Sequence, residues 1–111
     1  MNKETQNTIQ ELSLAEQSLQ NFSLQKQAFQ IELNEVTSSL EETEKAKGDI
    51  YKIVGQIMVK ATRENLLKEL KEKSDILELR IKTIEKQENL LTEKLEKLKK
   101  EIEEKFQAKK K

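Results

Sequence analysis

The stretch KGDIYKIVGQIMVKAT, from Lys47 to Thr62, differs in composition from the rest of the chain. It holds both glycines and the only tyrosine, whereas the long segments on either side are rich in leucine and charged residues. Its apolar side chains are mostly β-branched or aromatic, which favours strands. Gly55 and Gln56 fit a two-residue turn with glycine first. The stretch therefore predicts a β-hairpin over residues 49–61.

The predicted turn fixes which residues of the two strands face each other. Val54 lies opposite Ile57, Lys52 opposite Val59 and Ile50 opposite Ala61, while Ile53 pairs with Met58 and Tyr51 with Lys60. Both faces are then largely apolar, and a two-stranded hairpin alone is marginal in water, with both edges open for pairing. We therefore expect several chains to pool their hairpins in an inter-subunit sheet or β-barrel. The residues of this oligomerisation hairpin are Ile50, Tyr51, Ile53, Val54, Gly55, Ile57, Met58 and Val59.

The composition of the flanks is typical of long helices. Hydrophobic residues make up 34% of the 111 residues, below the roughly 45–50% of an ordinary globular domain. Alanine, glutamate, lysine, leucine and arginine supply more than half of the chain, and proline is absent. We expect a single domain over residues 1–111, with uninterrupted helices in the segments 1–46 and 63–108. Gly48 suits the end of the first helix, and Thr62 is an N-cap for the second.

Apolar residues recur at heptad spacing on both helices. The first helix has two such series, Leu12, Leu19, Lys26, Leu33, Leu40 and Ala15, Phe22, Phe29, Val36, Thr43. The second helix also has two, Leu70, Leu77, Ile84, Leu91, Leu98 and Leu67, Ser74, Ile81, Glu88, Leu95, Ile102. These are the core positions of coiled coils, sustained over the length of each helix.

The series of the two helices match when the chain is folded at Gly55. Leu12 then meets Leu98, and the other core positions of the first helix likewise meet core positions of the second. Lys26 and Glu88 come within one layer of each other, so we expect an ion pair that fixes the register. The sequence thus predicts a mainly α fold, a long antiparallel intrachain coiled-coil hairpin of two helices joined by one β-hairpin.

The charge distribution favours pairing within the chain. Residues 1–44 carry 2 basic and 8 acidic side chains, whereas residues 63–111 carry 15 and 12. Opposite net charges favour pairing of the two helices with each other over pairing of like with like. A long parallel dimer is the alternative.

Several functional classes have no support in the sequence. Histidine and cysteine are absent, and no glycine-rich phosphate loop occurs, so we expect no enzyme, no metal and no cofactor. The formal net charge is zero, and the lysines are mixed with glutamates, which argues against nucleic acid and membrane partners. The N-terminus lacks the apolar core of a signal peptide, so we expect a soluble, cytoplasmic protein.

The segment IYKIVGQIMVKATRENLLKELKEKSDILELRI, from Ile50 to Ile81, resembles the β-type subunits of prefoldin, most closely the archaeal form. The similarity rests on Tyr51-Lys52, Val54-Gly55 and Val59-Lys60, followed by the leucine-rich start of the second helix. The order of parts, a helix, one hairpin and a helix, agrees over nearly the whole chain. The α-type subunits of the family have a longer connector with two hairpins, for which this chain has no room.

The resemblance implies an ATP-independent chaperone. Prefoldins are hexamers of two α-type and four β-type subunits, whose hairpins form a double β-barrel that carries coiled-coil tentacles. The tentacle ends hold unfolded proteins and deliver them to a group II chaperonin. The alternative is a structural coiled-coil scaffold or dimerisation protein without chaperone activity.

The resemblance also directs attention to the free ends of the helices. We expect the client-binding residues at the tentacle tips to be Ile9, Leu12, Leu14, Leu95, Leu98, Ile102 and Phe106. Leu12, Leu95 and Leu98 equally suit the closing layers of the coiled coil, whereas Ile9, Leu14 and Phe106 lie outside its matched layers. Lys109, Lys110 and Lys111 are candidates for a chaperonin contact, although a terminal charge run is more often a solvated tail.

Overall fold

The computed structural model describes residues 2–109 and contains two long helices joined by a β-hairpin. The elements are α1 (Lys3–Lys45), β1 (Ile50–Val54), β2 (Ile57–Ala61) and α2 (Arg63–Lys109). The predicted fold class is therefore confirmed, with both helices within a residue or two of their expected bounds.

Each helix begins at a side-chain cap. The Thr62 hydroxyl accepts a hydrogen bond from the backbone N–H of Asn65 at 3.2 Å, which confirms the predicted N-cap of α2. The side-chain oxygen of Asn2 accepts one from the backbone N–H of Thr5 at 2.8 Å, so asparagine caps α1 in the same way. Gly48 has a φ of +88° but lies in the linker after Lys45, not directly at the helix end.

The hairpin has the register that the sequence predicts. Its antiparallel partners are Ile50 with Ala61, Tyr51 with Lys60, Lys52 with Val59, Ile53 with Met58 and Val54 with Ile57. Gly55 has a φ of +63°, whereas Gln56, like the other described non-glycine residues, has a negative φ. A positive φ at the first turn position alone is the pattern of a type II′ turn, which explains why glycine stands there.

The chain divides into two compact units, each holding part of both helices. One unit combines α1 up to Gln27 with α2 from Lys82 onward, and the other spans Ala28–Ile81 and includes the hairpin. In the first, Lys26 pairs with Glu88 and Glu4 with Lys105. In the second, Glu32 pairs with Lys73, and Arg80 lies over the ring of Phe29. In each unit, the contact partner on α2 has a lower residue number when the partner on α1 has a higher one. The two helices are therefore antiparallel within each unit.

The buried residues of both units are heptad core positions. The buried apolar side chains are Ala15, Val36, Leu77, Ile81, Ile84, Leu95 and Leu98, all of them in the series read from the sequence. Leu77 is 2% exposed and is the largest fully buried side chain. The predicted seam between the helices is therefore confirmed.

Threonines extend this seam where the sequence offers no apolar residue. Thr5 and Thr8 are buried at the positions that continue the α1 series toward its N-terminus, and Thr43 is buried near the other end. The hydroxyls of Thr8 and Thr43 donate to the backbone carbonyls of Glu4 and Ser39, four residues earlier. These bonds satisfy the buried hydroxyls, so threonine is tolerated in the seam.

The predicted ion pair between Lys26 and Glu88 is confirmed. The Lys26 ammonium donates to a carboxylate oxygen of Glu88 at 2.7 Å, with side chains 35% and 15% exposed. Partial burial makes each charge costly without the other, so the pair disfavours registers in which the two residues are separated.

The ion pair predicts a loss of stability at alkaline pH. The hydrogen bond to Glu88, opposed by partial desolvation, raises the pKa of Lys26 above its ordinary value of 10.5. A raised lysine pKa contributes stability that is complete below the unfolded pKa and disappears as the pH rises through the folded pKa. Titration of Lys26 should therefore leave the melting temperature unchanged up to pH about 10. Above that pH, loss of the Lys26 proton should lower the melting temperature. Circular dichroism melts of the wild type and Lys26→Met across this range test it.

The variant is the control for this prediction. Lys26→Met leaves Glu88 in the seam without a cation, so it melts a few degrees below the wild type at neutral pH. The gap should close as the pH rises, since the wild type loses the charge that the variant already lacks. A gap that stays constant above the pKa of Lys26 contradicts a stabilising role for this pair.

Candidate functional site

The hairpin presents an apolar surface to solvent. Its large exposed apolar residues are Tyr51, Ile53, Val54, Ile57, Met58 and Val59. Ile53 and Met58, which are cross-strand partners, are 75% and 67% exposed. A group of exposed apolar side chains of this kind on an otherwise charged protein is typical of an interaction site. The structure thus places the predicted oligomerisation residues together, with half-buried Ile50 beside them.

The two faces of the hairpin differ in their exposure. On one face, the Lys52 ammonium donates to both carboxylate oxygens of Glu69 on α2, at 3.0 and 3.2 Å. Ile50 and Ala61, on the same face as Lys52, are half-buried. The opposite face carries Tyr51, Ile53 and Met58, which are all exposed. The Lys52 face therefore lies toward α2 at Ile50 and Ala61, whereas Val54 and Ile57 at the turn end of that face are exposed, as is the whole opposite face.

The predicted client-binding residues all belong to the unit without the hairpin, but their accessibility differs. Leu95 and Leu98 are buried, and Leu12 is half-buried, as heptad core positions. Leu14 and Phe106 are 57% and 44% exposed. The structure thus separates residues that close the seam from residues that solvent reaches.

Two further predicted residues have intermediate exposure. Ile9 and Ile102 are half-buried; Ile102 is the last core position of the α2 series, whereas Ile9 follows the buried seam residue Thr8 in α1. They therefore combine a supporting role in the seam with a partly accessible surface. Of the three C-terminal lysines, Lys110 and Lys111 lie outside the described residues, and Lys109 is the last residue of α2.

No group of three or more histidine, cysteine, aspartate or glutamate residues within 2–109 is placed to hold a metal ion. In the same part of the chain, no helix combines the length and apolar character that a membrane span requires.

Known proteins resemble this chain in sequence over most of its length. The sequence profile of the family described as "Prefoldin subunit" matches residues 4–109. A prefoldin subunit beta of Pyrobaculum arsenaticum is 41% identical over 99 residues, which cover 87% of this chain and 80% of the relative. A prefoldin subunit beta of Pyrococcus furiosus is 42% identical over 107 residues, covering 95% and 88%.

Solved structures give the same result. The crystal structure of the prefoldin beta subunit from Thermococcus strain KS-1 superposes with a TM-score of 0.86 at 37% identity, covering 93% of this chain and 92% of the other. The beta2 subunit from the same strain superposes with a TM-score of 0.70 over 78% of this chain and 95% of the other. At 17% identity, this second likeness supports the fold alone.

Proposed function

Because the chain belongs to the prefoldin family and is a chaperone subunit similar to its beta subunits, we propose that it holds unfolded proteins without ATP as part of a hexamer. The observation that carries the proposal is the placement of exposed apolar side chains. The hairpin carries one set, and Leu14 and Phe106, together with Leu24 and Leu90, carry another in the other unit. One set suits assembly and the other suits capture.

The hairpin is the assembly surface in this proposal. Its open face, with Tyr51, Ile53 and Met58, packs into a β-barrel shared with other copies and with two α-type subunits. Its strand edges continue the backbone hydrogen bonding between subunits. On the other face, the end near Lys52 stays against α2 of its own chain through Glu69, and the exposed Val54 and Ile57 near the turn add to the assembly surface. Burial of the open face supplies the hydrophobic free energy that a lone hairpin lacks.

Clients bind near the start of α1 and the end of α2, which are the helix ends that do not join the hairpin. Leu14 and Phe106 make the direct contacts, because they are the exposed members of the predicted set. Ile9 and Ile102 add partly accessible surface, while Leu12, Leu95 and Leu98 hold the two helices together beneath it. Each contact area is small, so useful affinity arises from several subunits that bind one client together.

The remaining parts of the proposal concern the cellular partners. The hexamer works in the cytoplasm and delivers its clients to a group II chaperonin. Lys109, Lys110 and Lys111 are the candidate contacts, since three cations suit an acidic partner surface. No catalytic step and no cofactor enters this scheme.

Substitution of the exposed tip residues tests client capture. We expect the hexamer carrying Leu14→Ser and Phe106→Ser to suppress the aggregation of a denatured client several-fold less well, because apolar contacts repeated on several subunits are lost together. Light scattering of the client after dilution from denaturant measures this. The variant hexamer must retain its mass and its helical circular dichroism.

The matched control is Leu79→Ser, which removes a 66% exposed leucine from the other unit. It should suppress aggregation as the wild type does. Equal activity of the double variant and the wild type would contradict capture by Leu14 and Phe106.

A further inference from the structure

One segment of α1 has an unusual lack of free charge. Charged residues make up 38% of the chain, yet the segment from Gln17 to Gln27 contains no acidic residue and only one basic residue, Lys26. The ammonium of Lys26 is engaged by Glu88 in the seam at 2.7 Å. The solvent-facing side of this segment is therefore polar but uncharged.

The exposed residues of this segment form a defined surface. Gln17, Gln20, Leu24 and Gln27 are spaced by three and four residues, so they follow one side of the helix, and all are exposed. Leu24 is 60% exposed in their midst, and half-buried Ser23 lies beside it. We call these five residues the amide face.

A shallow groove adjoins part of the amide face. Gln20 and Ser23 are among the residues that line this groove, which has a volume of about 560 Å³. Two carboxylates also line it, those of Glu16 and Glu88, and Lys26 neutralises the second. The groove thus provides room beside the face for a chain segment with little net charge of its own.

The chemistry of the amide face suits unfolded polypeptide. Each glutamine offers a carbonyl acceptor and two N–H donors, which can bond the unpaired backbone groups of any sequence. Leu24 adds an apolar contact, and the lack of charge avoids desolvating an ion when an apolar segment binds. On α2 in the same unit, exposed charged residues such as Lys86, Glu93 and Lys94 flank Leu90, which is itself 67% exposed.

A second folded copy is a poorer fit for this face. A stable interface buries about 800 Å² on each partner, with an apolar centre. One leucine among three glutamines and a serine cannot provide such a centre. Weak, sequence-tolerant contact with a mobile chain needs no such area, because it adds to contacts made elsewhere.

We propose that the amide face is a second contact surface for clients, which selects unfolded segments poor in charged residues. This inference rests on the proposed function, since it requires that the hexamer binds unfolded chains. It extends the contact from the tip residues Leu14 and Phe106 along α1.

Site-specific photo-crosslinking in the assembled hexamer tests the proposal. Benzoylphenylalanine is placed at Leu24 on the amide face, at Lys86 on the charged side of α2, or at Phe106 at the tip. With a radiolabelled denatured client of low charge, we expect the yield at position 24 to exceed that at position 86 at least several-fold. Equal yields at positions 24 and 86 overturn the inference.

The tip position separates this result from failure of the proposed function. Crosslinking at position 106 together with equal yields at 24 and 86 leaves client capture standing and removes the amide face. No crosslinking at any of the three positions removes both. Crosslinking at position 24 but not at 106 supports the amide face and contradicts capture at the tip.

A charge substitution gives a second, independent test. Gln20→Glu with Gln27→Glu preserves side-chain shape but adds two charges, so we expect the affinity for the same client to fall several-fold. Gln87→Glu adds an acidic charge on exposed α2 of the same unit and should leave affinity unchanged. Circular dichroism verifies that both variants are folded, and unchanged affinity of the double variant overturns the inference.

Discussion

Replacement of Ile53 and Met58 by glutamate is expected to abolish assembly of the chain with other subunits while its helices remain folded. The two side chains are 75% and 67% exposed in the isolated chain, so charges there face water and cost little. In a shared barrel, the same carboxylates would be buried without partners, at several kcal/mol for each ion. Size-exclusion chromatography with light scattering measures the loss of the assembly.

The matched control for this prediction is Ile31→Glu. Ile31 is 61% exposed on α1, so it tests a comparable change away from the hairpin. Its assembly should match the wild type. If the double hairpin variant still forms an assembly of wild-type mass, the hairpin is not the joint between subunits.

Leu77→Ala is expected to destabilise the chain by about 2–4 kcal/mol, the usual cost of removing a fully buried leucine side chain. Leu77 is 2% exposed in the seam between α1 and α2, so its loss leaves a cavity between packed helices. Denaturant unfolding followed by circular dichroism gives the change in the free energy of unfolding.

Leu79→Ala provides the comparison, because the same atoms are removed two residues away from a side chain that is 66% exposed. We expect a change within about 0.5 kcal/mol, as for most surface substitutions. Similar destabilisation by both variants would mean that the seam between the helices does not hold the folded chain together.

The hairpin and the seam were predictable because simple periodicities determine them. A two-residue turn needs a positive φ that glycine adopts freely, so Gly55 sets the turn, and the alternation of side chains then sets every pair. The heptad spacing likewise identifies buried residues such as Leu77 and Leu98, since one stripe of each helix must be covered.

Other features depend on contacts that periodicity does not encode. Within the predicted tip set, Leu14 is exposed and Leu95 is buried, because the other helix covers only the second. The ion pair between Lys52 of β1 and Glu69 of α2, which marks the covered side of the hairpin, joins side chains 17 positions apart in sequence. Such a contact forms only when the elements pack in three dimensions.

Polar residues in structural roles were also missed. Thr5 and Thr8 occupy buried seam positions, but a search for apolar residues passes over them. Asn2 caps α1, and the signal for it was available in the preference of helix N-termini for asparagine. Extension of the heptad series by one repeat toward the N-terminus would have identified the threonines.

The most direct test of the proposed hexameric chaperone is native mass spectrometry of the complex purified from its own cells through this chain. We expect a hexamer with four copies of the chain and two copies of a longer coiled-coil subunit. The variant with Ile53→Glu and Met58→Glu should be absent from that hexamer. A homodimer with no second subunit would contradict the proposed hexamer and leave a coiled-coil scaffold.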